Sequence, residues 1–540
     1  MPDAPGTLAE ALTASAPQRA ELTFHLDDGP VVISGAELVE RALAGARALA
    51  ARGIGRGDAV GVLGPNRPEW SVWAWATWAA GATLVPIQIP LRVRDPDAFG
   101  EQVRSLVDTA GCRVVLADPR LVGAVGSELG VPWDEPASAP HAADPAPPRP
   151  DDIAVIQFTS GSTAAPKGAC LSHRAVMAQM DLIDDWTPCG IGGRVMVGWV
   201  PFFHDLGLFY YVGASVLFGA SPHYLPTERF AAAPAEWLRL VTATRASITV
   251  GPGSAIGAAI RSALRGSDRI DLSGLEFMRF AAEGVDPEFV DRLLEAAGRL
   301  KLPAESLGSS YGLAEAVLGV TSMQGLHEDR VDVDAMTLSG LARPATGGRV
   351  RRLISAGRTA LTTEVRIAQP GGAGLGEREI GEICVRGPSL MDGYVGEGAP
   401  DPFEDGWLRT GDMGYLADGE LYVTGRIKDM IIVMGHNYYP EDFEWAASRL
   451  EGVRAGRCVA FGAEDGEQVV LLVEPSAGAD GEELASAVRS AVSDSVGVAP
   501  GRVLVLPPGS VEKTTSGKLR RAAMKSAYAR GDLPVLAAHE

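Results

Sequence analysis

The stretch that decides the fold runs from Gly35 to Asp118 and contains GAELVERALAGARALAAR (35–52), DAVGVLGPN (58–66), ATLVPIQIP (82–90) and GCRVVLAD (111–118). Residues 35–52 place apolar side chains at helical spacing, and Ser34 stands where an N-cap belongs. DAVGVLGPN is a short apolar run that ends in turn residues, which predicts a buried strand. Residues 68–80 predict a second helix, ATLVPIQIP a second strand and GCRVVLAD a third. Strands alternating with helices predict an α/β domain built on a largely parallel sheet.

Outward from there, seven prolines fall between 132 and 150, which predicts a surface linker between subdomains. The alternation resumes at Ile153. Asp286 to Gly298 predicts a helix with Pro287 in its first turn, where the missing N–H costs nothing. From Arg349 to Val423 short strands and Gly turns predict a β-rich subdomain, and 441–540 mixes helices and strands as a small α+β domain would. The chain is therefore expected to be α/β: two α/β subdomains and a β-rich subdomain in a large N-terminal region, with a small mobile α+β domain after it.

The 540 residues carry 48 Lys+Arg against 68 Asp+Glu, a net charge of −20. That balance argues against a nucleic-acid partner, which needs a basic face to replace counterions. Five scattered cysteines without a C-x-x-C suggest neither a disulfide framework nor a zinc site, and they fit a reducing compartment. The N-terminus has no basic segment leading into an apolar core, and the apolar stretch from Trp70 to Pro86 is too short to span a bilayer. A cytoplasmic protein with no membrane span is expected.

Four motifs carry chemistry. Phe158-Thr-Ser-Gly-Ser-Thr-Ala-Ala-Pro-Lys-Gly168 follows an apolar strand and offers backbone N–H groups, hydroxyls and one ammonium to a polyphosphate. It does not satisfy the Walker A spacing, and by composition alone it also reads as a flexible Ser/Gly loop. Gly308-Ser-Ser-Tyr-Gly-Leu-Ala-Glu315 supplies a ring that can stack on a base, Tyr311, and a carboxylate that can hold Mg²⁺, Glu315. The same stretch matches a serine-hydrolase elbow at Gly308-x-Ser310-x-Gly312, with His327 and His436 available downstream. Trp407-Leu-Arg-Thr-Gly-Asp412 and Gly419-Glu-Leu-Tyr-Val-Thr-Gly-Arg-Ile-Lys-Asp429 give an Asp able to accept from two ribose hydroxyls, with Arg426 to assist; each piece alone also reads as a surface hairpin. Glu512-Lys-Thr-Thr-Ser-Gly-Lys518-Leu-Arg-Arg521 would aim one Lys outward from a Ser-Gly turn, or be a solvated basic tail.

In this order and spacing the four motifs resemble the adenylate-forming (AMP-binding) enzyme superfamily, over essentially the whole chain. The fatty acyl-AMP ligase-like branch is the nearest match. Trp199-Val-Pro-Phe-Phe-His-Asp-Leu-Gly207 resembles its His-Asp stretch, and Gly425 to Pro440 resembles its hinge segment. Residues 331–356 sit where that branch carries an extra segment, associated there with acyl transfer to carrier proteins instead of CoA.

The resemblance implies a two-step reaction. A carboxylic acid, expected to be lipophilic, with room for a bulky one, is activated by ATP and Mg²⁺ as acyl-AMP. A thiol, from a carrier-protein phosphopantetheine or, as the alternative, CoA, then displaces AMP. It implies site residues in turn. Thr159, Ser160, Gly161, Ser162, Thr163 and Lys167 would close over the phosphates. Ala281, Ala282, Glu283, Ser309, Tyr311 and Gly312 would form the nucleotide pocket. Glu315 would hold Mg²⁺, and Asp412 with Arg426 the ribose. His204 would stand between the acyl and nucleotide sites, and Lys518 would reach the carboxylate and α-phosphate. Lys428 falls at the hinge, dividing residues 1–425, the AMP-binding domain, from 426–540, the mobile lid.

Three departures from the branch pattern stand out. Ala281 replaces a Gly, so its methyl is expected to crowd the base and weaken adenylation, unless the backbone yields. Ser254 and Ile256 replace two aromatics of the acyl pocket, which would widen it. Met434 and His436 stand where the branch tends to have Arg.

Overall fold

A computed structural model describes all residues except 1–4, 15–16, 92, 94, 127, 135–143, 159–166, 267–268, 361, 370–371, 397, 434–435, 464–467, 515–517 and 540. The α/β expectation is borne out, and the strands gather into two large sheets. In the seven-stranded sheet, Cys112–Ala117, Ala59–Leu63, Thr83–Ile87 and Ile153–Phe158 run parallel in that spatial order. The nine-stranded sheet holds Val195–Gly198, Ile248–Gly251, Phe277–Phe280 and Leu307–Tyr311 as its parallel centre. The first hairpin of the chain, Glu21–Leu26 with Gly29–Ser34, joins this second sheet beside Ser221–Tyr224.

The helices form where the sequence places them. Ser34 Oγ accepts the N–H of Glu37 and opens Gly35–Ala51. Pro68–Ala79 begins with Pro in its first turn. Its four tryptophans, Trp70, Trp73, Trp75 and Trp78, are all buried, so this helix is apolar all round and sits inside one core shared by both sheets. Pro287–Leu300 starts on its Asp286 cap and runs two residues past Gly298, ending at Lys301 in the left-handed region.

The β-rich expectation holds for Glu364–Ala368, Gly381–Arg386, Phe403–Glu404, Trp407–Ala417 and Glu420–Arg426, an antiparallel sheet. It fails for the first part of the range. Val350–Ile354 pairs with Glu328–Asp332, and Arg358–Thr359 edges the nine-stranded sheet. Short apolar strands look alike in sequence, and only tertiary pairing assigns them to a sheet.

Residues 440–539 fold as α+β: the strands Val453–Gly462, Val469–Pro475, Arg502–Val505 and Ala537–His539, with the helices Pro440–Ser448, Gly481–Val496 and Arg521–Arg530. Two hydrophobic cores draw only on residues from 431 onward. No helix among the described residues is long and apolar enough to cross a membrane.

Candidate active site

One cleft of about 1710 Å³ opens at the carboxyl ends of the parallel strands of the nine-stranded sheet, and the C-terminal residues close over it. Ligands of open α/β sheets gather at such strand ends, because the following loops are free to shape a site there.

The strand Leu307–Tyr311 delivers Tyr311 to the rim. Its hydroxyl donates to Asp412 Oδ2 at 2.8 Å. Asp412 is buried and lies in register with Arg426 across a hairpin, and Arg426 Nε stands 2.9 Å from Asp412 Oδ1. Each carboxylate oxygen thus holds one donor and keeps a lone pair for another. Burial first, and then the Asp412 charge, hold the Tyr311 hydroxyl well above the usual phenol range.

Glu315 lies in a single helical turn, Ala314–Ala316. It accepts from the Tyr394 hydroxyl at 2.8 Å, and Lys167 Nζ lies 5.1 Å from the centre of the Tyr394 ring. The carboxylate beside this ammonium suits Mg²⁺ held together with phosphate oxygens, since that ion is commonly bound through one or two carboxylates and the substrate.

His204 and Asp205 precede Leu206–Ala214, a π-helix, a form that concentrates at functional sites. Gly207 makes the turn possible, because a Cβ there would lie 1.9 Å from the Pro201 carbonyl oxygen. His204 Nδ1 is 2.5 Å from Asp205 Oδ1, which also accepts the Leu206 N–H at 2.7 Å. Burial opposes the Asp205 charge, but His204, Lys518 and that N–H together hold its carboxyl below the usual range.

Lys518 comes from the other side of the cleft. Its N–H donates to Thr514 Oγ1 and its carbonyl accepts from the Thr514 N–H. Desolvation and Arg426 push its ammonium below the usual lysine range, while Asp205, Glu283 and Asp412 pull the other way. The structure brings His204, Glu283, Tyr311, Glu315, Asp412, Arg426 and Lys518 together along one cleft, with Lys167, Ala281, Ala282, Ser309 and Gly312. Thr159, Ser160, Gly161, Ser162 and Thr163 lie outside the described residues, as does Met434.

Other expectations change. Ser310 lies inside an extended strand and its hydroxyl donates to the Phe280 carbonyl at 3.3 Å, so no nucleophile elbow forms. His327 pairs instead with Glu420 at 2.9 Å, and His436 lies in a short strand, His436–Tyr438. Ile256 is fully buried in the core and does not line the cleft. Ser254 does line it, and its N–H donates to Glu283 Oε1 at 2.5 Å. Ala281 lines the cleft, but the backbone departure falls one residue later, on Ala282 at φ 71°. Lys428 sits in the turn Ile427–Asp429 and also reaches the cleft.

Sequence reasoning passes over Asp205, Tyr394 and Arg279. Asp205 was in view within the His-Asp stretch. Nothing local marks Tyr394, whose two-residue strand pairs with Ala169 and Cys170 far back in the chain.

Comparisons with known proteins agree with this geometry. The profile of the AMP-binding enzyme family matches residues 10–395. A Mycobacterium tuberculosis protein named as a ligase, Rv1013, is 35% identical over 514 residues, covering 91% of this chain and 94% of that protein. The long-chain-fatty-acid–AMP ligase FadD26 of Mycobacterium marinum is 30% identical over 530 residues, 87% of each chain. A solved structure from work on fatty acyl-adenylate ligases of E. coli and L. pneumophila superimposes with a TM-score of 0.89 at 30% identity, covering 97% of this chain and 98% of its own.

Proposed function

The chain belongs to the AMP-binding enzyme family and is an adenylate-forming acyl ligase, and from that premise we propose that it passes its acyl group to the phosphopantetheine thiol of a carrier protein. The carboxylate of the acid attacks the α-phosphorus of ATP, an O–P bond forms, and the bond to pyrophosphate breaks. The thiol then attacks the acyl carbon and AMP leaves. Little covalent work falls to the protein; it positions the reactants and stabilises charge.

The convergence of Lys518, from the C-terminal part, on a cleft already holding Asp412, Arg426 and His204 carries this reading. Lys518 neutralises the carboxylate and α-phosphate as charge builds there. Asp412 uses its two spare lone pairs on the ribose hydroxyls, assisted by Arg426, and the Tyr311 ring faces the base. Glu315 would hold Mg²⁺, which shields the phosphate charge, and Lys167 would approach the same phosphates. His204, held by Asp205, separates the acyl and nucleotide compartments. The division into residues 1–425 and 426–540, with Lys428 at the pivot, belongs to the same proposal.

The carrier-protein assignment is supported by residues 331–356. The segment is folded, and two of its arginines hold the C-terminal part. Arg351 Nε lies 2.7 Å from Asp442 Oδ1, with its guanidinium 4.8 Å from the Tyr439 ring centre, and Arg349 Nη1 donates to the Val496 carbonyl at 3.0 Å.

ATP–pyrophosphate exchange over a panel of acids, followed by mass spectrometry of products with CoA and a holo carrier protein offered in parallel, tests both parts. Exchange with at least one acid and acyl-carrier as the product are expected. Absence of exchange with every acid removes the first part, and acyl-CoA as the only thioester removes the second.

A further inference from the structure

The strand Phe277–Phe280 turns Met278 and Phe280 into the core and Arg279 the other way, into the cleft. Arg279 is only 2% exposed. Its guanidinium lies 3.9 Å from the Phe277 ring centre and donates through Nη1 to the Met323 carbonyl. It crosses the next strand over Gly308, where a Cβ would stand 1.4 Å from Nη1, so glycine is required there to admit it. Nε and Nη2 find no hydrogen-bond partner among the described residues.

No carboxylate among the described residues pairs with Arg279. The titratable groups that act on it are Tyr210 and Cys189, and the adjacent Glu276 is taken by Arg194 at 2.6 Å. Burial pushes its guanidinium down to about 10, so it remains a cation at neutral pH. A buried cation without a counter-ion is strongly unfavourable.

Two further donors share the same wall. Tyr210, 5% exposed, comes from the π-helix, and its hydroxyl, with Thr187 nearby, has no partner in hydrogen-bond geometry among the described residues. Gln179, fully buried, accepts the Gly319 N–H through Oε1 and leaves Nε2 unpartnered. All three side chains line the cleft. A site for a purely apolar tail would leave every one of these donors unpaired, and buried donors are normally paired.

Their depth is set by strand register. Arg279 precedes Ala281 by two residues and pairs with Gly308, which precedes Ser310 by two. At the rise of a strand, that puts Arg279 about 7 Å below the edge where the nucleotide residues stand. An acid whose reacting carboxylate meets Lys518 at that edge would direct its far end toward Arg279.

We propose that the deep end of the acyl site binds a second carboxylate, so that the acid activated is a short dicarboxylic acid, its distal carboxylate paired with Arg279 and hydrogen-bonded by Tyr210 and Gln179. The inference rests on acyl-adenylate formation as proposed above, and it replaces the lipophilic acid expected from sequence.

ATP–pyrophosphate exchange by the full chain, with straight-chain monocarboxylic and dicarboxylic acids of matched length, tests it. The wild type favours the diacids in kcat/KM by about 100-fold, because a site built for a polar group rejects the analogue that lacks it. Arg279→Met lowers kcat/KM for diacids about 100-fold and brings the two series together. Tyr210→Phe, which removes one oxygen, lowers the diacid preference about tenfold and carries the test if Arg279→Met does not fold. A wild type that prefers the monoacids, or a diacid preference untouched by the substitution, overturns the inference while leaving adenylation intact. Absence of exchange with both series overturns the two together.

Discussion

Burial first, and then the Arg426 charge, disfavour the Lys518 ammonium, so it loses its proton more readily than that of an exposed lysine. The charged form is the one that stabilises the reacting oxygens. The alkaline limb of the pH–rate profile for pyrophosphate release should therefore fall below the ordinary lysine value of about 10.4. Lys518→Ala should cost at least about 100-fold in that rate and remove the limb. At the base pocket, Ala281→Gly tests whether the methyl crowds adenine. Relief of overpacking is expected to lower KM for ATP about fivefold, read from initial rates at saturating acid. The motif residues were legible because each carries its chemistry in its own side chain and sits beside a glycine or a strand end. Arg279 was not legible. In sequence it is one charged residue in an apolar strand, and only its placement over Gly308, unpaired with any described carboxylate, gives it a meaning.

At the scale of elements, the π-helix Leu206–Ala214 does the positioning. Asp205 accepts its first N–H, Gly207 permits its close return toward Pro201, and Tyr210 projects from its second turn. Gly207→Val should destabilise the protein by about 1–3 kcal/mol in urea unfolding. It should also displace His204 and Asp205 enough to lower adenylation about 100-fold. Helix Pro68–Ala79 was read from its residues, although the seam that usually marks a helix is absent because every side is buried. The strands Val350–Ile354 and Arg358–Thr359 fall in the range expected to form the β-rich subdomain but pair outside its sheet. Pairing over long separations leaves no local trace in composition.

Across the whole molecule, the segment 331–356 fastens the C-terminal part through Arg349 and Arg351. Burial outweighs the pairing with Arg351 and pushes Asp442 up to about 6. A folded value above the unfolded value of about 3.9 means stability fully present below pH 4 and lost as pH rises through 6. The stability of the wild type relative to Asp442→Asn should accordingly fall by about 2–3 kcal/mol between pH 4 and pH 7, measured by chemical denaturation. Arg349→Ala with Arg351→Ala should speed proteolysis in 426–430 by releasing the two parts from each other. The sequence by itself determined the α/β class and the α+β end, because periodicity acts over a few residues, and its ordered motifs carried the resemblance that implies adenylate-forming chemistry. The tertiary structure alone decided that two interleaved sheets share one core, that Ser310 is held in a strand, and that Arg279, Tyr210 and Gln179 share one wall of the cleft. Those facts depend on contacts between residues far apart in the chain, which packing and burial select.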